Sequence, residues 1–316
     1  MRKKIGDKNK AVRGYDFDKG VNYSDLMRSF SSVGFQAGHF ARAVEIVNEM
    51  IEKKAKIFLS YTSNMVTSGL RDVVKYLVKN KKVDVLSTTA GGVEEDIMKC
   101  FGDFVVGDFK YSAGKLYDKG FNAAGNIYVH DDLYLKFESF VNPILEELYK
   151  EQKEKGKIIT PSELIWKLGE KVDDRTSICY WAWKNKIPIY CSALTDGALG
   201  TMIYIFQHKK KDFVIDIVDD TKRLNDSTTG LKKSGVVCLG GGLPKHSVLI
   251  AQIFRDGADY AVYINTGISE DGSDSGAPTR EAITWGKLKM NSKSVKVFGD
   301  ATILFPLLVA ESFAKK

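Results

Sequence analysis

Lys287 closes the run Asp271-Gly-Ser-Asp-Ser-Gly-Ala-Pro-Thr-Arg-Glu-Ala-Ile-Thr-Trp-Gly-Lys287, a lone lysine after an aromatic and a glycine. Three carboxylates, Asp271, Asp274 and Glu281, lie upstream. A lysine that attacks carbon must be neutral, so it needs a shielded site that disfavours its charge. Bringing it from its ordinary value to about 8 takes roughly 3 kcal/mol against the charged form. Trp285 is the candidate apolar wall. The carboxylates must then hold something else, and a polycationic amine fits them. Standing alone, the run reads equally well as a surface lysine on an amphipathic helix.

His246 follows Gly240-Gly-Gly-Leu-Pro-Lys at a helix start. A histidine there is more often a helix-start hydrogen-bonding residue than a catalyst. A shared edge with Asp196, Asp300 and the Lys287 segment gives it a candidate proton-transfer role near neutral pH. His39 and His208 have no such company and read as structural or surface residues. His130 stands beside Asp131-Asp132 without the further ligands a metal needs, so no metal is expected.

The elements that must position these groups alternate along the chain. Strands are expected at 57–60, 83–87, 187–192, 236–239, 260–264 and 295–298. Helices are expected around 41–51, 70–79, 93–99, 133–150, 161–184, 199–207, 215–225, 247–255, 280–290 and 302–314. Residues 107–132, rich in Gly, Asn, Asp and Lys, read as one long loop. Such alternation predicts an α/β fold, a doubly wound, mostly parallel sheet with helices on both faces. Just past the strands come Thr62-Ser63-Asn64, Thr88-Thr89-Ala90-Gly91-Gly92, Thr195-Asp196-Gly197, Gly240-Gly241-Gly242, Asn265-Thr266-Gly267 and Gly299-Asp300-Ala301. Ligands of doubly wound sheets bind outside these carboxyl ends. Glycine lets backbone approach a pyrophosphate, a helix N-terminus attracts it, and Asp196 and Asp300 could accept ribose hydroxyls. No GxGxxG run is present, so the dinucleotide reading rests on the six clusters together.

The composition bounds the rest. The 316 residues are 44% hydrophobic and 28% charged, ordinary for a globular protein, with 47 Lys plus Arg against 40 Asp plus Glu. The net +7 suits steering of an acidic partner, but no basic stripe interleaved with aromatics points to nucleic acid. Four cysteines without CxxC spacing fit a reducing compartment. With no secretory signal and no apolar run of membrane-spanning length, a cytoplasmic location is expected and no membrane partner. Residues 1–20 read as a basic, flexible N-terminal arm ahead of one domain, 21–316.

Taken in order, the motifs resemble those of the deoxyhypusine synthase family over nearly the whole chain. They are Ser63-Asn-Met-Val-Thr67-Ser-Gly-Leu-Arg71, Thr88-Thr-Ala-Gly-Gly-Val-Glu-Glu95-Asp96, Leu194-Thr-Asp196-Gly197, Leu239-Gly-Gly-Gly242, Tyr260-Ala-Val-Tyr-Ile-Asn-Thr266, Asp271-Gly-Ser-Asp274-Ser-Gly, Glu281-Ala-Ile-Thr-Trp285-Gly-Lys287 and Gly299-Asp300-Ala301. Arg13-Gly-Tyr-Asp-Phe-Asp18 and Gly34-Phe-Gln-Ala37 look like that family's N-terminal region. The resemblance implies a Rossmann-like NAD-binding catalytic domain that oxidises spermidine at its secondary amine. It implies transfer of the aminobutyl group through an imine on Lys287 to a lysine of the hypusine-type translation initiation factor 5A precursor, with His246 as proton acceptor. It places the polyamine at Asp274, Glu281 and Trp285. It places NAD at Ser63, Thr67, Thr89, Ala90, Gly91, Glu95, Asp196, Gly240, Gly242, Thr266, Asp271, Ser273, Asp300 and Ala301. It further implies a homotetramer with sites at subunit interfaces.

One position departs from the family pattern. Five residues after Asp196, where an acid usually helps hold one amine end of spermidine, this chain has Thr201. A neutral hydroxyl binds an ammonium less strongly than a carboxylate; Asp219 and Asp220 are candidate acids to compensate. Two alternative functions share the Lys287 chemistry or the fold: aminobutyl transfer to a small amine, as in homospermidine synthases, and a catalytically weak paralogue that activates a partner subunit.

Overall fold

Ile57-Phe-Leu59 and Val236-Val-Cys-Leu239 are unbroken apolar runs, as a strand needs when both faces are covered. In the structure, a computed structural model that describes residues 11–315, they lie side by side in the middle of a sheet. In chain order the strands are β1 Lys56–Tyr61, β2 Val85–Thr88, β3 Val105–Val106, β4 Phe121–Ala124, β5 Ile127–His130, β6 Ile189–Tyr190, β7 Ser234–Leu239, β8 Ala258–Asn265 and β9 Leu288–Phe298. Six form one sheet in the order β6-β2-β1-β7-β8-β9, every pairing parallel.

Side chains alternate across this sheet. Leu59, Tyr61, Val237, Leu239, Val262 and Ile264 enter one core, while Phe58, Val236, Cys238, Ala261 and Tyr263 enter the other. The helices Phe35–Glu52 and Ala301–Glu311 close the first through Phe40, Ile46, Phe305 and Leu308. The helices Gly242–Ile253 and Thr279–Thr284 close the second through Val248, Leu249 and Ala282. This is the doubly wound α/β architecture that the alternation predicts. The chain steps outward from β1 to β2 and β6, then returns to the other side of β1 as β7. That reversal opens a crevice between the carboxyl ends of β1 and β7.

Three expectations need correction. Residues 107–132 are not one loop: β4 and β5 form a hairpin turned at Gly125 (φ 61), β3 joins it in the order β3-β5-β4, and Ala113–Tyr117 is helical. The helix expected at 161–184 is two, Pro161–Val172 and Ile178–Asn185, parted where Asp173 takes a left-handed conformation. The helix expected over 280–290 stops at Thr284, because Gly286 (φ 69) turns the chain; from Leu288 the backbone joins the sheet as β9. Lys287 is therefore not on a helix face. The expected arm falls partly outside the described residues; within 11–20 there is one short 3-10 turn, Phe17–Lys19.

Candidate active site

The crevice at the β1–β7 reversal is a cavity of about 370 Å³. Thr67 comes to it from the turn after β1, Gly240 from that after β7, Thr266 from that after β8, and Asp300 and Ala301 from that after β9. Its backbone is shaped by glycine. Gly240 has φ 77, and a Cβ on Gly241 would lie 2.4 Å from the Ser275 Cα. Beside it, the helix Ala90–Met98 starts at Thr89 without a side-chain cap. The Thr89 hydroxyl instead accepts the Ser63 N–H at 3.0 Å, and a Cβ on Gly91 would stand 2.9 Å from the Ser63 Cβ. No side chain caps the start of this nine-residue helix, and such an N-terminus suits an anion.

Glu95 lies one turn further into the same helix and accepts the Thr67 hydroxyl. Burial pushes its carboxyl up to about 7, against the pull of Thr67 and Lys99. Asp300 caps its own helix through Thr302 N and Oγ1, both at 2.7 Å. The turn carrying Asp271 and Ser273 is held by their own hydrogen bond, Ser273 N to Asp271 Oδ1 at 2.7 Å; the Ser273 hydroxyl first, and then this N–H, lower the Asp271 pKa. Asp196 is exposed in the turn before the helix Ala198–Lys209. The N-terminus of that helix is already filled: the buried Glu94 carboxylate accepts Leu199 N at 2.7 Å.

A second group gathers on the neighbouring sheet face. His246, in the second turn of Gly242–Ile253, has Nδ1 3.4 Å from Asp274 Oδ1. Lys245 Nζ donates to the Asp274 main-chain oxygen, lies 3.8 Å from Asp274 Oδ2, and sits 4.7 Å over the Tyr263 ring. The Tyr263 hydroxyl is pushed well up, by burial first and then by the nearby Cys238, Asp274 and Glu281. Apart from this group, Lys287 Nζ lies 5.8 Å over the Trp285 ring. Trp285 itself is 66% exposed, so one face of this pair is uncovered.

The expected residues do not all meet within one chain. Lys287 O accepts Ala258 N at 3.0 Å, so Lys287, just ahead of β9, lies beside the first residue of β8. The cofactor-side residues stand past Asn265, the last residue of β8. Eight residues of strand separate the two by roughly 23 Å along the chain direction. Thr201 is exposed, its hydroxyl turned back to Gly197 O at 3.3 Å. Neither candidate acid is free: Asp219 pairs with Arg223 at 2.8 Å, and buried Asp220 accepts Ser162 N at 2.9 Å. Asp220 nonetheless lines a cavity of about 220 Å³ that also reaches His246.

Sequence reasoning passed over several participants. Lys245 reads as a surface residue, because lysine is almost never buried. Lys296 holds the loop before Lys287 by donating to Gly267 O at 2.7 Å and to Gly276 O. Ala124, Asn126 and Ile127 of the β4–β5 hairpin line the crevice; the alternation Ile127-Tyr-Val-His130 after Gly-Asn was the available signal. His130 accepts Asp132 N at 3.2 Å and caps the helix Asp131–Lys155.

A family model described as deoxyhypusine synthase matches residues 25–312. The chain is similar to the deoxyhypusine synthases of Arabidopsis thaliana, 46% identical, and Nicotiana tabacum, 45% identical; each match covers 96% of this chain and 90% of the relative. It is similar in structure to an Entamoeba histolytica chain provisionally assigned as a deoxyhypusine synthase. That match has a TM-score of 0.70 and 34% identity, and covers 96% of this chain and 97% of the other.

Proposed function

The chain belongs to the deoxyhypusine synthase family and is a transferase of that family, and we propose that it moves the aminobutyl group of spermidine to a lysine of the hypusine-type translation initiation factor 5A precursor. The observation that carries this reading is the Lys287–Trp285 pair, an ammonium 5.8 Å over an exposed aromatic face, just past the helix Thr279–Thr284 that carries Glu281 and the loop before it that carries Asp274. Residues 21–316 act as one catalytic domain in this reading.

NAD, when bound, supplies the hydride acceptor for oxidising the secondary amine. The crevice fits it: the uncapped helix start at Thr89, Ala90 and Gly91 suits a pyrophosphate, with Ser63 and Thr67 beside it. Glu95, Asp196 and Asp300 are the carboxylates for its hydroxyls, and Gly240, Gly242, Thr266 and Ala301 leave its path clear. Asp271 and Ser273 border the site.

The protein's own groups orient the amine and handle protons. Asp274 and Glu281 draw the substrate ammonium groups by charge-assisted hydrogen bonds, and Trp285 packs along the methylenes. His246 takes the proton released as the amine is oxidised. Lys287 forms the new bond to the four-carbon fragment as the three-carbon diamine leaves, and the acceptor lysine then displaces it, freeing Lys287 and leaving an imine on the acceptor; the hydride taken up by the cofactor would return to that imine to give the aminobutyl amine. Because Lys287 and the crevice lie at opposite ends of β8, a second copy of the chain completes the site. A homotetramer, as the family resemblance implies, supplies such a copy. Among the described residues no helix is long and apolar enough to cross a membrane, and we place the reaction in the cytoplasm.

The test is incubation of the pure protein with NAD and labelled spermidine, with and without the factor precursor. Label on the precursor, and on Lys287 after borohydride trapping, is the expected result. Label on Lys287 but never on the precursor would mean a small-amine acceptor. No label on either protein would overturn the reading.

A further inference from the structure

Lys245 is only 2% exposed, a full positive charge inside the molecule. Such a charge is strongly unfavourable unless it is paired and hydrogen-bonded. Its ion-pair partner among the described residues is Asp274. The ammonium engages that residue twice, by its hydrogen bond to the main-chain oxygen and by its 3.8 Å approach to Oδ2. Oδ2 is buried and has no hydrogen-bond partner, so Lys245 is the group that balances it. The second oxygen, Oδ1, faces His246 Nδ1 at 3.4 Å. The Tyr263 ring at 4.7 Å lies under the ammonium, and its electron-rich face suits a cation. Lys245 and His246 are consecutive on one helix, so the three groups form a fixed triangle: cation, carboxylate, imidazole.

We propose that Lys245 is a positioning residue for the reaction, its ammonium locking Asp274 so that Oδ1 holds His246 by Nδ1 and leaves Nε2 to face the substrate. The inference rests on the reading of His246 as the proton acceptor. It also sets Asp274 apart from Glu281. Asp274 is already paired with Lys245, whereas Glu281 is exposed and carries no ion pair among the described residues. Removing Lys245 therefore frees Asp274 to attract the substrate ammonium while it loosens His246. The expected signature is a fall in kcat without a rise in KM.

The test uses the full chain as Lys245→Met, Asp274→Asn and the double variant, with kcat, KM for spermidine and NAD affinity by fluorescence titration. Lys245→Met should keep NAD affinity within about twofold, show a KM no higher than the parent, and lose at least tenfold in kcat, since orienting a catalytic base is worth factors of that size. The double variant should lose no more kcat than the worse single variant, because the two residues act as one unit. A Lys245→Met protein with near-parental kcat, or with raised KM and unchanged kcat, would overturn the proposal. So would losses that multiply in the double variant. Should Lys245→Met fail to fold, the double variant, which buries no unpaired charge, carries the test: its kcat must match that of Asp274→Asn, and a further tenfold loss sinks the idea. Failure of the parent protein to label any acceptor would instead fault the functional reading itself.

Discussion

Glu95→Gln should make the protein more stable, and more so as the pH rises. Burial pushes the Glu95 carboxyl up to about 7, with Glu94 adding to the rise and Thr67 and Lys99 opposing it; its ordinary value is 4.5. Between those two values the unfolded chain has released a proton that the folded protein still holds. The unfolded state then binds fewer protons, so stability falls as pH rises from about 4.5 to about 7 and levels off above. A gap of about 2.5 pH units is worth roughly 3 kcal/mol. Glutamine keeps the shape, accepts the Thr67 hydroxyl through its carbonyl, and has no such proton to lose. The variant should therefore gain about 3 kcal/mol at pH 8 and under about 1 kcal/mol at pH 5. With about 2.1 cal/mol/K of unfolding entropy per residue over 316 residues, the pH 8 gain is about 4 °C in Tm. Circular dichroism melts of both proteins without cofactor, from pH 5 to pH 8 at fixed ionic strength, measure it. A Tm gap that stays flat or shrinks with rising pH would refute the burial argument. The same variant should bind NAD more weakly, since the ionised carboxylate is the stronger acceptor for a ribose hydroxyl.

Lys287→Ala should abolish label transfer to the factor precursor, by at least 10³-fold, while NAD titration changes less than about threefold; the loss is that of the covalent step alone. Gly91→Val, which forces a side chain onto Ser63, should weaken NAD binding at least tenfold. Mixing that variant with Lys287→Ala under subunit-exchange conditions should restore up to about a quarter of parental activity if two chains share a site, and none if each site is built within one chain. Thr201→Asp should lower the KM for spermidine by about three- to tenfold, the worth of one charge-assisted hydrogen bond at a partly exposed position. An unchanged KM would show that neither amine end passes the start of the Ala198–Lys209 helix.

The sheet was legible because its strands are apolar on both faces. Runs such as Val236–Leu239 have few other uses in a chain of this length, and the small or polar residues behind them mark the carboxyl edge. The hairpin at 121–130 was hidden because its strands are short, half exposed and interrupted by Gly and Asn, which outweigh two alternating stretches of four residues. The early end of the helix before Lys287 turns on one glycine, whose left-handed φ a periodicity count does not register. The Lys245–Asp274 pair was invisible for a different reason: composition places lysine outside, and only tertiary packing brings a carboxylate to it. For Thr201 the sequence located the departure from the family pattern, and the structure adds that neither Asp219 nor Asp220 is free to replace the missing charge.

The reversal that opens the crevice also sets the order in which the sheet can assemble. β1 pairs with β2 on one side, close in sequence, but its other edge waits for β7, so that Lys56 meets Ser234 only after everything between has been made. At about 5–20 residues per second the ribosome needs on the order of ten seconds or more to supply that partner. Through that interval Ile57, Phe58 and Leu59 present an unpaired apolar edge, which is what promiscuous strand addition requires. A ribosome stalled between residues 61 and 234 therefore holds a chain prone to aggregate. Slower growth temperature or holdase chaperones should raise the soluble yield through that window, whereas a ligand of the finished crevice should not, because half of the crevice does not yet exist.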